Sequence, residues 1–142
     1  MIMKNRRSFI IGIKSKTLST KEKKFIKKYK PWGIILFSRN IESLKQTKKL
    51  TEQIKNIFQD KNYPILIDQE GGRVNRLKKI FIAEPFTGEF FGNLYFKDKK
   101  KFFYYYKIFI DQTSSLLKSI GVNINTLPAV SYTHLTLPTT PY

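Results

Sequence analysis

The chain has 142 residues, 41% of them hydrophobic and 15% aromatic, which suits one ordinary domain with a real core and argues against disorder. Its 27 basic and 10 acidic residues give a formal charge of +17, and it has no cysteine, which rules out disulfides, thiolate metal sites and cysteine nucleophiles. No apolar run approaches the roughly 20 residues needed to span a bilayer, so no membrane partner is expected.

The start, MIMKNRRSFIIGIKSK, has a basic lead but an apolar core of only FIIGI. That is short against the roughly 7–15 residues of a secretory signal, and no small-residue cleavage site follows. It reads as the first strand, SFIIGIK (8–14), of a cytoplasmic protein. Ser19 with Glu22 three positions on is a capping-box signature, so a helix is expected over STKEKKFIKKYK, closed by Pro31. GIILFS (33–38) is a second buried strand. Ser43 can cap a helix over LKQTKKLTEQIKNIF, with Leu44, Leu50, Ile54, Ile57 and Phe58 on one face. PILID (64–68) is a third strand. EPFTGEFFGN reads as a loop, DKKKFFYYYKIFIDQTSSLLKSI (98–120) as a long helix ended by Gly121, and VNINT (122–126) as a fourth short strand before Pro128.

The strands are continuous apolar runs alternating with helices, the pattern of a parallel sheet covered on both faces. The fold class is therefore α/β with right-handed crossovers. Two architectures compete, a doubly wound open sheet and consecutive βα units of a barrel. Both put function at the C-terminal ends of the strands.

The last 13 residues, VSYTHLTLPTTPY, contain no charged residue, whereas the preceding 129 hold all 37. VSYTHLTLPT can be written in codons whose DNA resembles a common transposon-derived sequencing adapter. Residues 130–142 are accordingly expected to be a non-native tail, with the natural frame ending at or near Ala129. The only histidine, His134, lies in that tail and is no catalytic candidate.

The basic balance has two readings. Lysines are spread through the whole chain alongside Ile, Asn, Phe and Tyr, all with codons rich in A and T, so genome composition suffices to explain it. The alternative is a basic nucleic-acid-binding α/β module, with the aromatic run FFYYYKIF (102–109) stacking bases. A helix packing over a sheet accounts for the same run, and no nucleic-acid partner is expected.

The densest chemistry lies in PILIDQEGGRVNR (64–76). Asp68 ends an apolar strand, so its carboxylate should emerge at the C-terminal rim of the sheet or else cap the next turn. Gly71 and Gly72 allow a sharp turn or a close approach; they form neither a dinucleotide fingerprint nor a phosphate loop. Of Arg73 and Arg76, three apart, one should bridge to Asp68 or Glu70, with Arg73 the favoured bridge, while the other offers its guanidinium to sugar hydroxyls or an anion. Asp68 and Glu70 as a glycosidase acid pair is a further option, but two positions beside a glycine turn give no control of their separation. Arg39, after the second strand, is expected to play a structural part through a rim salt bridge.

These strings together resemble a known family. GIILFSRN, a helix, DQEGGRVNRL, EPF, FGN and LLKSIGVNINTLPAV, in this order over about residues 8–129, look like the N-terminal half of a glycoside hydrolase family 3 β-N-acetylhexosaminidase. The resemblance implies a (β/α)₈ barrel of which residues 1–129 hold about four βα units. It implies retaining hydrolysis of terminal β-linked N-acetylglucosamine from a saccharide or muropeptide in cytoplasmic peptidoglycan recycling, without a cofactor. It assigns Asp68 and Arg76, and less firmly Arg73, to the sugar-binding rim, and Gly71 and Gly72 to shaping its loop. The family's nucleophilic aspartate and acid/base histidine lie beyond the sequence at hand, which would then hold only part of the rim. A half barrel exposes a sheet edge, so the chain alone is expected to be unstable and without turnover. If its end is natural, it is a non-catalytic sugar-binding fragment.

Overall fold

A computed structural model describes residues 5–127; the tail at 130–142 and His134 lie outside the described residues. Strand β1 (Arg7–Gly12) leads to helix α1 (Thr20–Tyr29), strand β2 (Pro31–Leu36), a 3-10 turn (Ser38–Asn40), helix α2 (Leu44–Ile57) and strand β3 (Ile65–Ile67). After a long loop come helices α3 (Gly88–Lys97) and α4 (Lys99–Ser119) and strand β4 (Ile124–Asn125). The four strands form one parallel sheet in the order β1-β2-β3-β4, so spatial and sequence neighbours coincide.

Local chemistry explains most boundaries. The Ser19 side chain accepts from the Glu22 N–H, while the Glu22 carboxylate accepts from the Ser19 N–H at 2.8 Å, completing the expected capping box. Lys30 turns left-handed at φ 46°, and β2 starts at Pro31, two residues before the expected strand. Ser43 caps α2 through the Gln46 N–H. That helix buries Thr47, Leu50, Thr51 and Ile54, whereas Leu44 is exposed; the buried face sits further round than the apolar pattern suggested.

The core joins Ile26 of α1, Leu50 and Ile54 of α2, Ile34 and Leu36 of β2, Ile65 and Ile67 of β3, and Ile120 and Val122 after α4. Each such fully buried aliphatic side chain contributes about 1.5–3 kcal/mol. Tyr63 is the largest side chain in it; its ring stacks on Phe58 with centroids 3.9 Å apart, and its hydroxyl donates to the Pro31 carbonyl at 2.9 Å.

Three expectations need correction. Only β3 is buried along its whole length; β1 alternates between half-buried and exposed because it pairs on one side only, with β2. The segment read as a loop, EPFTGEFFGN, contains the start of α3, capped by the Thr87 side chain accepting from the Phe90 N–H at 3.0 Å. The aromatic start of α4 does not lie over the sheet. Phe91 of α3 meets Tyr106 at 4.9 Å and Phe109 at 5.4 Å, and Tyr95 meets Phe102 at 5.2 Å. The aromatic residues of α3 thus provide the partner surface, and α4 reaches the core through Leu117, with Leu116 packed against it.

Candidate functional site

The site forms where β3 ends. Asp68 follows Ile67 directly, and β4 lies alongside with Ile67 opposite Asn125. Asn125 fixes this end of the ladder by donating from Nδ2 to the Gln69 carbonyl and accepting from the Gln69 N–H, both at 3.0 Å. The Gln69 side chain is fully buried, donating to Asn75 Oδ1 at 3.1 Å and accepting from the Leu77 N–H. Asn75 in turn donates to the Phe81 carbonyl at 2.9 Å. The loop that carries the arginines therefore hangs from an internal amide network rather than from solvent contacts.

Gly71 and Gly72 lie at the turn of that loop. They adopt φ of 131° and 55°, regions that a side chain disfavours. A Cβ on Gly71 would come within 2.3 Å of the Phe86 carbonyl oxygen, and one on Gly72 within 2.8 Å of Thr87 Cγ2. The Gly72 N–H donates to the Ala83 carbonyl at 3.0 Å, and Val74 N–H closes back on Gly71. The tight turn brings Arg76 back to the strand end.

Arg76, not Arg73, makes the bridge. Its guanidinium stands 3.5 Å from Asp68 Oδ2, with the two side chains 29% and 20% exposed. Arg73 is exposed. The other Asp68 oxygen accepts from the Thr126 hydroxyl. Arg76 Cζ lies 5.6 Å from the centre of the Phe37 ring, whose contact with Arg39 Cζ is closer, 4.5 Å; such cation–π contacts fix the planes of both guanidiniums. Arg76 Nε is buried with no hydrogen-bond partner among the described residues. The arginine is thus held in place by charge and stacking while Nε stays without a partner among the described residues.

Arg39 is structural, as expected, although its partner is a carbonyl rather than a carboxylate: Nε donates to the Ile13 carbonyl at 3.0 Å. Buried Asn40 beside it donates to Ile13 and Ser15 and accepts from the Phe37 N–H, pinning the β1–α1 loop against the rim.

A cavity of about 750 Å³ opens next to this pair, lined by Gln69, Glu70, Phe86, Phe91, Tyr106 and Thr113 among others. Asp68 and Arg76 do not line it. Glu70 faces this cavity whereas Asp68 faces Arg76 and Thr126, so the two carboxylates do not converge on one bond and the acid-pair reading is not supported. Among the described residues no group of three or more histidines and carboxylates could hold a metal ion, and no helix is long and apolar enough to cross a membrane.

Sequence reasoning missed Phe37 and Thr126. Phe37 carried a signal in the sequence, since it precedes Arg39 by two at a strand end. Thr126 carried none without the β3–β4 register.

No family model matches the chain. A curated beta-hexosaminidase of Hydrogenovibrio crunogenus is 39% identical over 80 residues, covering 56% of this chain and 22% of its own length. One from Actinobacillus pleuropneumoniae is 41% identical over 78 residues, covering 54% of this chain and 22% of its own. The chain thus spans about a fifth of the length of the curated relatives it matches. Among solved structures, a glycoside hydrolase family 3 beta-N-acetylglucosaminidase from Paenibacillus is 29% identical with a TM-score of 0.67, covering 84% of this chain and 22% of that one. Over these stretches the chain is similar to curated beta-hexosaminidases and to a glycoside hydrolase family 3 beta-N-acetylglucosaminidase.

Proposed function

We propose that this chain supplies the sugar-gripping rim of a β-N-acetylhexosaminidase that hydrolyses terminal β-linked N-acetylglucosamine with retention, in the cytoplasm, on saccharides or muropeptides released from peptidoglycan. The observation that carries the reading is the Asp68–Arg76 pair. A carboxylate accepts from sugar hydroxyls and a guanidinium donates to their oxygens; Arg76 sits 3.5 Å from Asp68 and both side chains are partly exposed, so a sugar can reach the pair. Arg73, exposed at the turn, would touch only a larger substrate reaching outward. The bond-breaking groups would come from a longer polypeptide, and the parallel sheet with its strictly sequential strand order supports reading these βα units as the first half of a (β/α)₈ barrel. The basic nucleic-acid reading is less well supported, because lysines occur in α1, α2 and α4 alike.

The test uses the 142-residue chain, kept folded with an excluded osmolyte, and N-acetylglucosamine as the probe in isothermal titration. Asp68→Asn and Arg76→Gln should each weaken binding about tenfold or more, while no turnover of a chromogenic N-acetylglucosaminide is expected from this chain. Equal binding by wild type and both variants, or turnover above background, refutes the reading.

A further inference from the structure

We infer that Thr126 is a positioning residue that orients the Asp68 carboxylate for its partner. The inference rests on the sugar-binding reading for its consequence but on geometry for its substance. The Thr126 hydroxyl has one proton to give and two acceptors in reach, Asp68 Oδ1 and the Ile67 carbonyl at 3.2 Å. The Ile67 carbonyl already accepts from the Thr126 backbone N–H at 2.9 Å. A carboxylate is the stronger acceptor, so the hydroxyl proton goes to Asp68. This fastens Oδ1 to β4 and leaves Oδ2 facing Arg76. Without that bond the carboxylate can turn about its last side-chain torsion, which for an sp³–sp² bond is soft, and the face presented to a ligand is no longer fixed.

The arrangement follows from register. Ile67 pairs with Asn125, so the residues after each, Asp68 and Thr126, sit side by side where the ladder ends. Asn125 holds the backbone of Gln69, and Thr126 holds the side chain of Asp68, so two successive residues of the β4 end divide the work. Arg76 meets the other oxygen, Oδ2, and is kept in its plane by Phe37. Asp68 is thereby clamped between a neutral donor and a cation.

The discriminating variants are Thr126→Val, which keeps the shape and the backbone N–H to Ile67 but lacks the hydroxyl, and Thr126→Ser, which keeps the hydroxyl. Thr126→Ala serves as a second hydroxyl deletion should the valine variant fail to fold. The carbon-13 resonance of the Asp68 carboxyl is read in each, with N-acetylglucosamine affinity alongside. The expected pattern is a displaced resonance in the valine and alanine variants and a wild-type one in the serine variant. Affinity should fall about tenfold with the hydroxyl and recover with serine, the size of a lost hydrogen bond to a charged group. A resonance that does not move in the valine and alanine variants, or moves equally in the serine variant, overturns the inference whatever the affinities do. If the resonances behave as expected but wild type does not bind the sugar, the positioning role stands and the sugar reading fails.

Discussion

The two glycines of the rim loop should respond differently to alanine. At Gly71 the new Cβ would meet a backbone atom, the Phe86 carbonyl oxygen, at 2.3 Å, with φ at 131°. Strain in such a φ region costs about 1–3 kcal/mol, and pushing main chain aside adds about 1–3 kcal/mol, so Gly71→Ala should cost about 4 kcal/mol. At Gly72 the φ of 55° costs about 1–2 kcal/mol, and the atom met at 2.8 Å is the Thr87 methyl, a side-chain tip. Thr87→Ser removes that methyl and keeps the hydroxyl that caps α3. The double variant Gly72→Ala with Thr87→Ser should therefore recover about 1 kcal/mol relative to Gly72→Ala alone, whereas Thr87→Ser should not help Gly71→Ala. Urea unfolding of the five chains, analysed by linear extrapolation, reads these differences. Equal losses at the two glycines, or a rescue of Gly71→Ala by Thr87→Ser, would refute the assignment of a main-chain clash to one and a side-chain clash to the other.

Two further outcomes follow from the core and the rim support. Burial raises the Tyr63 hydroxyl well above its ordinary value of about 10. The folded state thus keeps a proton that the unfolded state releases, so stability should be level with respect to this group below about pH 10 and fall above it; Tyr63→Phe should abolish that alkaline slope in pH-dependent unfolding. Asn40→Ala removes a buried side chain that donates to the Ile13 and Ser15 carbonyls and accepts from the Phe37 N–H. At about 1 kcal/mol for each hydrogen bond, the loss should be about 3 kcal/mol, with Ser15 and Lys16 amides gaining hydrogen-exchange rate before the rest of the sheet.

Those parts of the fold that depend on neighbours in sequence were legible from it. Ser19 and Glu22 announce α1 because both halves of the capping box lie within four residues, and Ser43 does the same for α2. The helix α3 was not legible: glycines at 88 and 92 and a Pro-Phe-Thr entry suggest a loop, and the helix is favoured by packing of Phe91 on Tyr106 and Phe109 of α4, contacts distant in sequence. At the site, Asp68 and the glycine pair could be read because a strand end and a turn are local events. The choice between Arg73 and Arg76 could not, since three residues of separation fit either one, and only the left-handed turn at Gly71 and Gly72 decides which guanidinium faces the carboxylate. Thr126 depends on pairing between segments nearly 60 residues apart, which no local pattern encodes.

The one-directional strand order has a kinetic meaning. Each strand pairs only with those just before and after it in the chain, and only β3 has to wait for its second partner, β4, across a long loop and two helices. As the polypeptide leaves the ribosome, β2 can lay itself on β1, and β3 on β2, each addition pairing the edge that the previous one left open. Growth of the sheet is thus vectorial, and the Asp68 carboxylate gains its hydroxyl donor only when β4 arrives with Thr126.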